Sequence, residues 1–511
     1  MNRLWLIRTE SYKKGILLSV FFNVVAKGIL FLLTILIAKF FGGDIKTDIY
    51  FFIFGTMVLL SGFINTIDTV VLVPESMRLR EKQGSAAAAA FLNFFFRIYI
   101  IAGLLFMAVV YFFGVPIFSF FSRFSETDIL HYKNYFLLGS AYFFFMVLTN
   151  YFNNILTSLK FFTVPMIISG INSCIVIVGI ILLHRRFDVL SIFIAGVVAY
   201  SINLVILLWV MKKIAAWKFS GNTTTINKKV WGNISFAGLG QLATLASSFF
   251  PLFLLSGFGQ GMISTMNYGK NIADIPNTLV TSQLTNVTGI QLNEQAARHD
   301  VRGMNESFMN TGKLLLFILV PLGFFLFAFS VPIVRLFYFR GNFTEPDVIA
   351  SAKYLELFSV TIFSIGINAL VSRIFIATQA VKKAFVYQLV LNTILIGAIW
   401  VFTKYYGAYG YPYAIILINC VNYIAMFFIC KKIAPQIDYT GVLKYTGLLL
   451  LVNAAITTGL YFAQPWLHAG VFGNCAIPFF VYLFILLLLN KIFHLNSDLA
   501  RAIQYVQKRF N

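Results

Sequence analysis

The sequence predicts an all-α polytopic membrane protein of about 14 transmembrane helices, arranged as two six-helix pseudo-repeat lobes plus a C-terminal pair. Three observations predict it. Of 511 residues, 59% are hydrophobic and only 11% charged, whereas a soluble domain carries about 25% charged residues. The apolar residues fall in runs of roughly 20 to 30, enough to cross a hydrocarbon layer of about 30 Å at about 1.5 Å per residue. Two short sequence echoes recur at nearly the same offset. Backbone amides in lipid must be satisfied internally, which leaves helices or a closed barrel, and runs this long lack the alternation of barrel strands.

The elements follow in chain order, with the expected spans given by number. Arg3, Arg8, Lys13 and Lys14 precede an apolar run that is too long for a signal peptide and lacks a small-residue cleavage site. Residues 15–42 therefore read as a first span behind a cytoplasmic tail. Lys27 lies mid-span, with Asn23 one turn before and Thr34 two turns after. This polar stripe reads as cavity lining, with snorkelling or helix packing as the alternative. In the second span, 47–74, Ser61, Asn65 and Asp68 share a face suited either to a cavity or to interhelical hydrogen bonds. The third, 86–114, carries Arg97 after Phe94, Phe95 and Phe96, either facing a cavity or acting as a structural cation. Spans at 129–159, 162–183 and 189–211 complete an N-terminal lobe, 1–213, and 214–228 is a basic cytoplasmic linker.

The second lobe, 229–432, opens with spans at 230–256 and 262–291. Lys270 and Asp274 stand four apart on one helical face just before Pro276. They read either as a self-cancelling ion pair or as a cavity cation with a tuning carboxylate, loosened by a proline kink. Spans at 309–338, 348–378, 384–404 and 410–430 follow; Arg373 is placed to snorkel, and Asn392, Asn419 and Asn422 suit interhelical hydrogen bonds. Spans at 441–464 and 471–490 make the extra pair, 433–494. In 495–511, Leu499, Ile503 and Val506 recur at helical spacing among Arg501, Lys508 and Arg509, as in a tail lying on the inner surface.

The formal net charge of +21 would suggest nucleic acid in a soluble protein. Here the cations gather in alternate short loops: Arg78, Arg80 and Lys82; Lys212, Lys213, Lys218, Lys228 and Lys229; Arg298 and Arg302; Lys382 and Lys383; Lys431 and Lys432. That bias is the positive-inside signal and places both termini in the cytoplasm. Cys174, Cys420, Cys430 and Cys475 sit in apolar segments without paired spacing, so metal and disulfide readings are disfavoured.

The repeat is visible in Phe124 to Asp128 (FSETD) and Phe343 to Asp347 (FTEPD), 219 positions later. In each, Ser125 or Thr344 is placed to cap a helix while Asp128 or Asp347, three residues on, reaches back. A second echo matches Phe41, Gly42, Thr47 and Tyr50 to Phe258, Gly259, Thr265 and Tyr268 with one inserted residue. An even number of spans per lobe implies a parallel repeat with a site between the lobes. Nucleotide-binding and hydrolytic motifs such as Walker A, H-E-x-x-H and G-x-S-x-G do not occur. The mid-span cations Lys27, Arg97 and Lys270 favour an anionic substrate, and 58 phenylalanines offer apolar wall for lipid tails. An amphipathic anion fits both.

Several stretches resemble the MurJ/MviN lipid II flippases of the multidrug/oligosaccharidyl-lipid/polysaccharide exporter superfamily: Ala38 to Asp48, Val73-Pro74, Tyr268 to Pro276 (YGKNIADIP) and Phe339 to Asp347. The resemblance implies a V-shaped pair of six-helix lobes around a cationic cavity that grips a lipid diphosphate, with alternating access carrying the headgroup across. It implies substrate-binding roles for Lys27, in place of a first-span arginine, for Asp48, and for Asp274 in place of a glutamate; Arg97 and Lys270 join them as cavity cations. Leu33, Ser61 and Asn271 stand where the family has arginines. The expected function is therefore flipping of an undecaprenyl-diphosphate-linked oligosaccharide, either lipid II or an exopolysaccharide or capsule repeat unit, in the bacterial inner membrane. Its partners would be the polyprenyl-diphosphate-linked saccharide, membrane lipids and envelope-synthesis proteins, not nucleic acid. No cofactor is expected; the energy would come from the membrane potential or a monovalent cation. The rival readings are a multidrug or cation antiporter of the same superfamily and a membrane glycosyltransferase or scaffold of envelope synthesis.

Overall fold

The computed structural model describes residues 12–215, 217–219, 226–435, 437–463, 470–493 and 495–496. Every regular element among them is a helix. The chain forms two compact units, Met1–Ser264 and Thr265–Asn511.

In the first unit, α1 (Tyr12–Phe41) is followed by α2 (Ile45–Ile67), a five-residue π turn (Asp68–Leu72) and α3 (Val73–Gln83). The wide turn has a sequence cause: Pro74 has no N–H to continue the α ladder, and Val73 N–H closes on the Asp68 carbonyl instead. The long helix α4 (Ser85–Phe121) runs past the expected end of the third span and bends at Phe113, where φ is −123° and ψ 16°. Pro116, three residues on, leaves the Phe112 carbonyl without its helical donor, which accounts for the bend. The short α5 (Glu126–His131), α6 (Lys133–Ser158), α7 (Thr163–Phe187), α8 (Leu190–Lys213) and α9 (Lys228–Leu255) complete it. Helices α6, α7 and α8 pack on one another; α1 lies on α7, and α2 lies on α6 and α9. Phe91, Leu92, Phe95, Tyr151, Phe152, Leu156, Leu207 and Met211 form a buried core between α4, α6 and α8. Trp217 belongs to it: its Nε1–H donates to Asn93 Oδ1 at 2.9 Å while Asn93 Nδ2 donates to the Lys218 carbonyl at 2.8 Å. The start of the linker is thus pinned to α4.

The second unit takes most of α10 (Met262–Pro276), a second π turn (Asn277–Thr281), α11 (Ser282–Ala297), α12 (Val301–Ala328), α13 (Ser330–Tyr338), α14 (Glu345–Ser359) and α15 (Ile362–Ala377). Then come α16 (Val381–Tyr406), a tight turn (Gly407–Tyr409), α17 (Gly410–Ile433), α18 (Tyr439–Ala463) and α19 (Gly470–Phe493). Helix α12 is central, touching α11, α14, α15 and α18, while α16 pairs with α17 and α19 rests on α13 and α18.

Large apolar side chains crowd the outside: Leu182 is 73% exposed and Leu451 75%. Such a surface would aggregate in water and suits lipid. Eleven helices among the described residues are long and apolar enough to cross a membrane, or twelve if the pair α14–α15, bent by 43°, is one span. The figure falls short of the expected 14 for two reasons. Residues 262–297, with Asn267, Lys270, Asn271, Asp274 and Asn277, are too polar to meet the apolar criterion, and 383–433 counts once although Gly407–Tyr409 divides it. All but the first two residues of the expected surface tail, 495–511, lie outside the described residues, as does the Asn23 side chain.

The two capping echoes are present with one difference. Thr344 N–H and hydroxyl both donate to Asp347 Oδ2, each at 2.8 Å. Ser125 Oγ accepts the Asp128 N–H at 3.1 Å and donates to Asp128 Oδ2 at 2.5 Å. The first cap opens only the six residues of α5, because the chain turns again at Tyr132 before α6.

Candidate functional site

The motif residues fall into two groups, those that hold helices together and those left half-open to space. Asp48 belongs to the first. It lies in the first turn of α2, is 2% exposed, and accepts the Gly261 N–H at Oδ2 and the Ser264 N–H at Oδ1, both at 2.7 Å. Both oxygens are therefore spent on the backbone that opens α10, where a carboxylate meets unsatisfied amides and the positive end of the helix dipole. Gly261 has φ +83°, and a Cβ there would stand 3.0 Å from the Gly43 carbonyl, so only glycine suits this junction. The place of Asp48 in the resemblance implied contact with substrate; its geometry is that of an anchor.

The YGKNIADIP stretch divides along its helix. Tyr268 is fully buried, its ring 5.2 Å from that of Tyr338 and 5.3 Å from that of Phe343. Two of the stretches that carry the resemblance thus meet in the core of the second unit. Gly269 lets α10 press on α14: a Cβ there would stand 2.4 Å from the Ser351 carbonyl. Around the helix from this contact, Lys270 and Asp274 form the ion pair that their spacing predicted, with 37% and 46% of their side chains exposed. The Lys270 ammonium also lies 6.0 Å from the centre of the Phe358 ring, which itself packs on Tyr411 at 5.6 Å. The cation is thus held by one carboxylate and one aromatic ring while part of its side chain stays exposed.

In the first unit Lys27 is exposed and lines a cavity of about 380 Å³ among α1, α2, α6, α7 and α8. The wall is mixed: Tyr50, Tyr142, Tyr200, Ser169, Asn172 and Ser173 supply polar atoms, and Leu33, Phe54 and Met146 apolar surface. Arg97 is exposed on α4 and is not part of that wall. The structure therefore brings Lys270 and Asp274 together, as expected, and gathers neither Lys27 nor Arg97 into a cluster with the other within their unit. Of the three positions where the resemblance expects arginines, Leu33 lines the Lys27 cavity, Ser61 is buried and accepts from Asn150 at 3.0 Å, and Asn271 is half-buried beside Lys270.

A "Probable lipid II flippase MurJ" of Borreliella burgdorferi is 24% identical over 413 residues, 79% of this chain and 80% of that protein. One of Bdellovibrio bacteriovorus is 22% identical over 227 residues, 44% of this chain and 42% of that protein. The fold matches a solved structure of "Lipid II flippase MurJ, inward closed conformation" with a TM-score of 0.79 at 19% identity, covering 95% of this chain and all of the other. It also matches an inward-facing multidrug resistance MATE transporter of the MOP superfamily, with a TM-score of 0.63 at 14% identity, over 86% and 98% of the two chains. The family model described as "Lipid II flippase MurJ" matches residues 37–480, taking in the Asp48 anchor, the buried Tyr268 and the Lys270–Asp274 pair, and on that match this chain belongs to the MurJ family of lipid II flippases, transporters rather than enzymes.

Proposed function

We propose that the protein flips an undecaprenyl-diphosphate-linked oligosaccharide from the cytoplasmic to the outer leaflet of the bacterial inner membrane by alternating access. The observation that carries this reading is the Lys270–Asp274 pair, accessible on a helix too polar to face lipid and set against the Phe358 ring, which packs on Tyr411. An ammonium held this way receives a diphosphate and gives it up again, because a half-exposed pair binds by only about 1 kcal/mol or less. Lys27 supplies a second cation beside hydroxyl and amide groups suited to a sugar. Asp48 positions α10 rather than touching cargo. With Leu33, Ser61 and Asn271 in place of cations, the cargo is either lipid II or an exopolysaccharide or capsule repeat unit with the same diphosphate. The alternating cationic loops support both termini in the cytoplasm.

Reconstitution into proteoliposomes tests this. Polyprenyl-diphosphate-linked saccharides, a disaccharide-peptide in one arm and a longer glycan in another, should cross faster with the protein than without it. Lys270→Ala and Lys27→Ala should each slow the crossing by about ten-fold, the loss of one charged contact. No acceleration in either arm refutes the reading.

A further inference from the structure

Asp68 is the most deeply buried carboxylate among the described residues, 1% exposed at the start of the π turn that ends α2, and no cation pairs with it there. A charge placed this way in a membrane span is expensive, and elsewhere in proteins such residues mark ion or proton pathways. Two donors meet it. The Tyr99 hydroxyl on α4 donates to Oδ1 at 2.6 Å, and Asn154 Nδ2 on α6 reaches Oδ2 at 3.5 Å while donating to Asn65 Oδ1 at 2.7 Å. One turn away the same two helices repeat the arrangement, Asn150 Nδ2 donating to Ser61 Oγ at 3.0 Å. A polar ladder thus runs along α2 and α6, with the carboxylate at its end. Ordinary helical spacing sets Asp68 there, seven positions after Ser61 and three after Asn65, and the π turn begins at its carbonyl.

The other titratable groups nearby are accounted for. On α6, Tyr151 spends its hydroxyl on the Leu92 carbonyl at 2.6 Å and packs its ring on Tyr99. Arg97 lies two positions from Tyr99, about 200° around α4. Glu75 on α3 pairs with Arg78 and feels the charge of Lys229 on α9. Along α2, Tyr50 is the single titratable residue between Asp48 and Asp68.

We propose that Asp68 is a proton-binding site. The groups that face it decide between a proton and a metal cation: a cation wants oxygen acceptors, whereas a phenol O–H and an amide N–H₂ are turned to this carboxylate. Binding forms one O–H bond at Oδ2, the oxygen held only by the long Asn154 contact, and consumes one proton from water. Tyr99 keeps its bond to Oδ1, now a carbonyl oxygen and a weaker acceptor. Neutralisation therefore loosens α2 from α4 at the π turn. Using that proton to drive a cargo rests on the transport reading above; the site itself does not.

Infrared difference spectroscopy of the purified full-length protein, titrated in pH, tests the site. A protonated-carboxyl band should appear as pH falls, vanish in Asp68→Asn, and move to higher pH by about one unit in Tyr99→Phe, which removes a donor to the charged form. Sodium should leave it unchanged. A band that survives Asp68→Asn, a carboxyl that stays charged at every pH where the fold persists, or a band suppressed by sodium overturns the proposal. Asn keeps the shape of Asp and the oxygen that accepts from Tyr99, giving up only the long Asn154 contact, so a folded variant is expected, and Tyr99→Phe tests the same point through the partner. Lipid crossing that fails while the band titrates refutes only the transport reading; a missing band with intact crossing refutes only the proton site.

Discussion

The Asp48 carboxylate accepts the Ser264 N–H at 2.7 Å although 216 positions separate the two residues. The bond closes the first unit around the start of α10, and it converts a residue that looks like a substrate contact into a part of the frame. Asp48→Ala would leave the Gly261 and Ser264 amides buried without an acceptor, a loss of about 2 to 3 kcal/mol. Thermal unfolding of the solubilised protein should show a lower midpoint, with Asp48→Asn intermediate because one oxygen remains. A midpoint unchanged in Asp48→Ala, with transport abolished, would return the residue to the binding site.

Lys270 and Asp274 should behave in the opposite way. The pair is too exposed to matter much for folding, so Lys270→Ala should change stability by less than about 1 kcal/mol. Transport is where the loss should appear. The exchange Lys270→Asp with Asp274→Lys restores the pair but moves the cation one turn along α10. If position matters as well as charge, that double variant stays slow; recovery to the native rate would show that net charge alone suffices.

Gly269 tests the contact between α10 and α14. A methyl group there meets backbone at 2.4 Å, which cannot give as a side-chain end would. Gly269→Ala should cost about 1 to 3 kcal/mol, read as a lower unfolding midpoint. An unchanged midpoint would mean that α10 and α14 are not packed as described.

The two caps offer a matched comparison. Thr344→Ala and Ser125→Ala should each cost about 1 kcal/mol if both caps carry a full helix. Because Ser125 caps only the six residues of α5, whereas Thr344 opens the fifteen of α14, the second loss should be larger. Hydrogen exchange at α5 and α14 in the two variants would measure the difference.

Much of this was legible in the sequence where the signal is local. Run length located the helices, and spacing alone joined Lys270 to Asp274 and Thr344 to Asp347. Other features depend on what the chain meets after folding. Nothing near Asp48 announces that its donors lie 213 and 216 positions away. Pro276 signalled a break, but the sequence does not distinguish a kink from a π turn. The count of spans suffered for a related reason: 262–297 is helical but too polar to look like a membrane helix.

The π turns Asp68–Leu72 and Asn277–Thr281 carry a consequence for evolution. Each adds one residue to an otherwise helical course, so every side chain beyond it is rotated by about 100° relative to a helix without the insertion. A relative that lacks the turn would need a one-residue gap near 68–72 or 277–281 to match this chain. Aligned without that gap, it would set exposed residues against buried ones all the way to Gln83 or Ala297, and the ancestry of those positions would be misread.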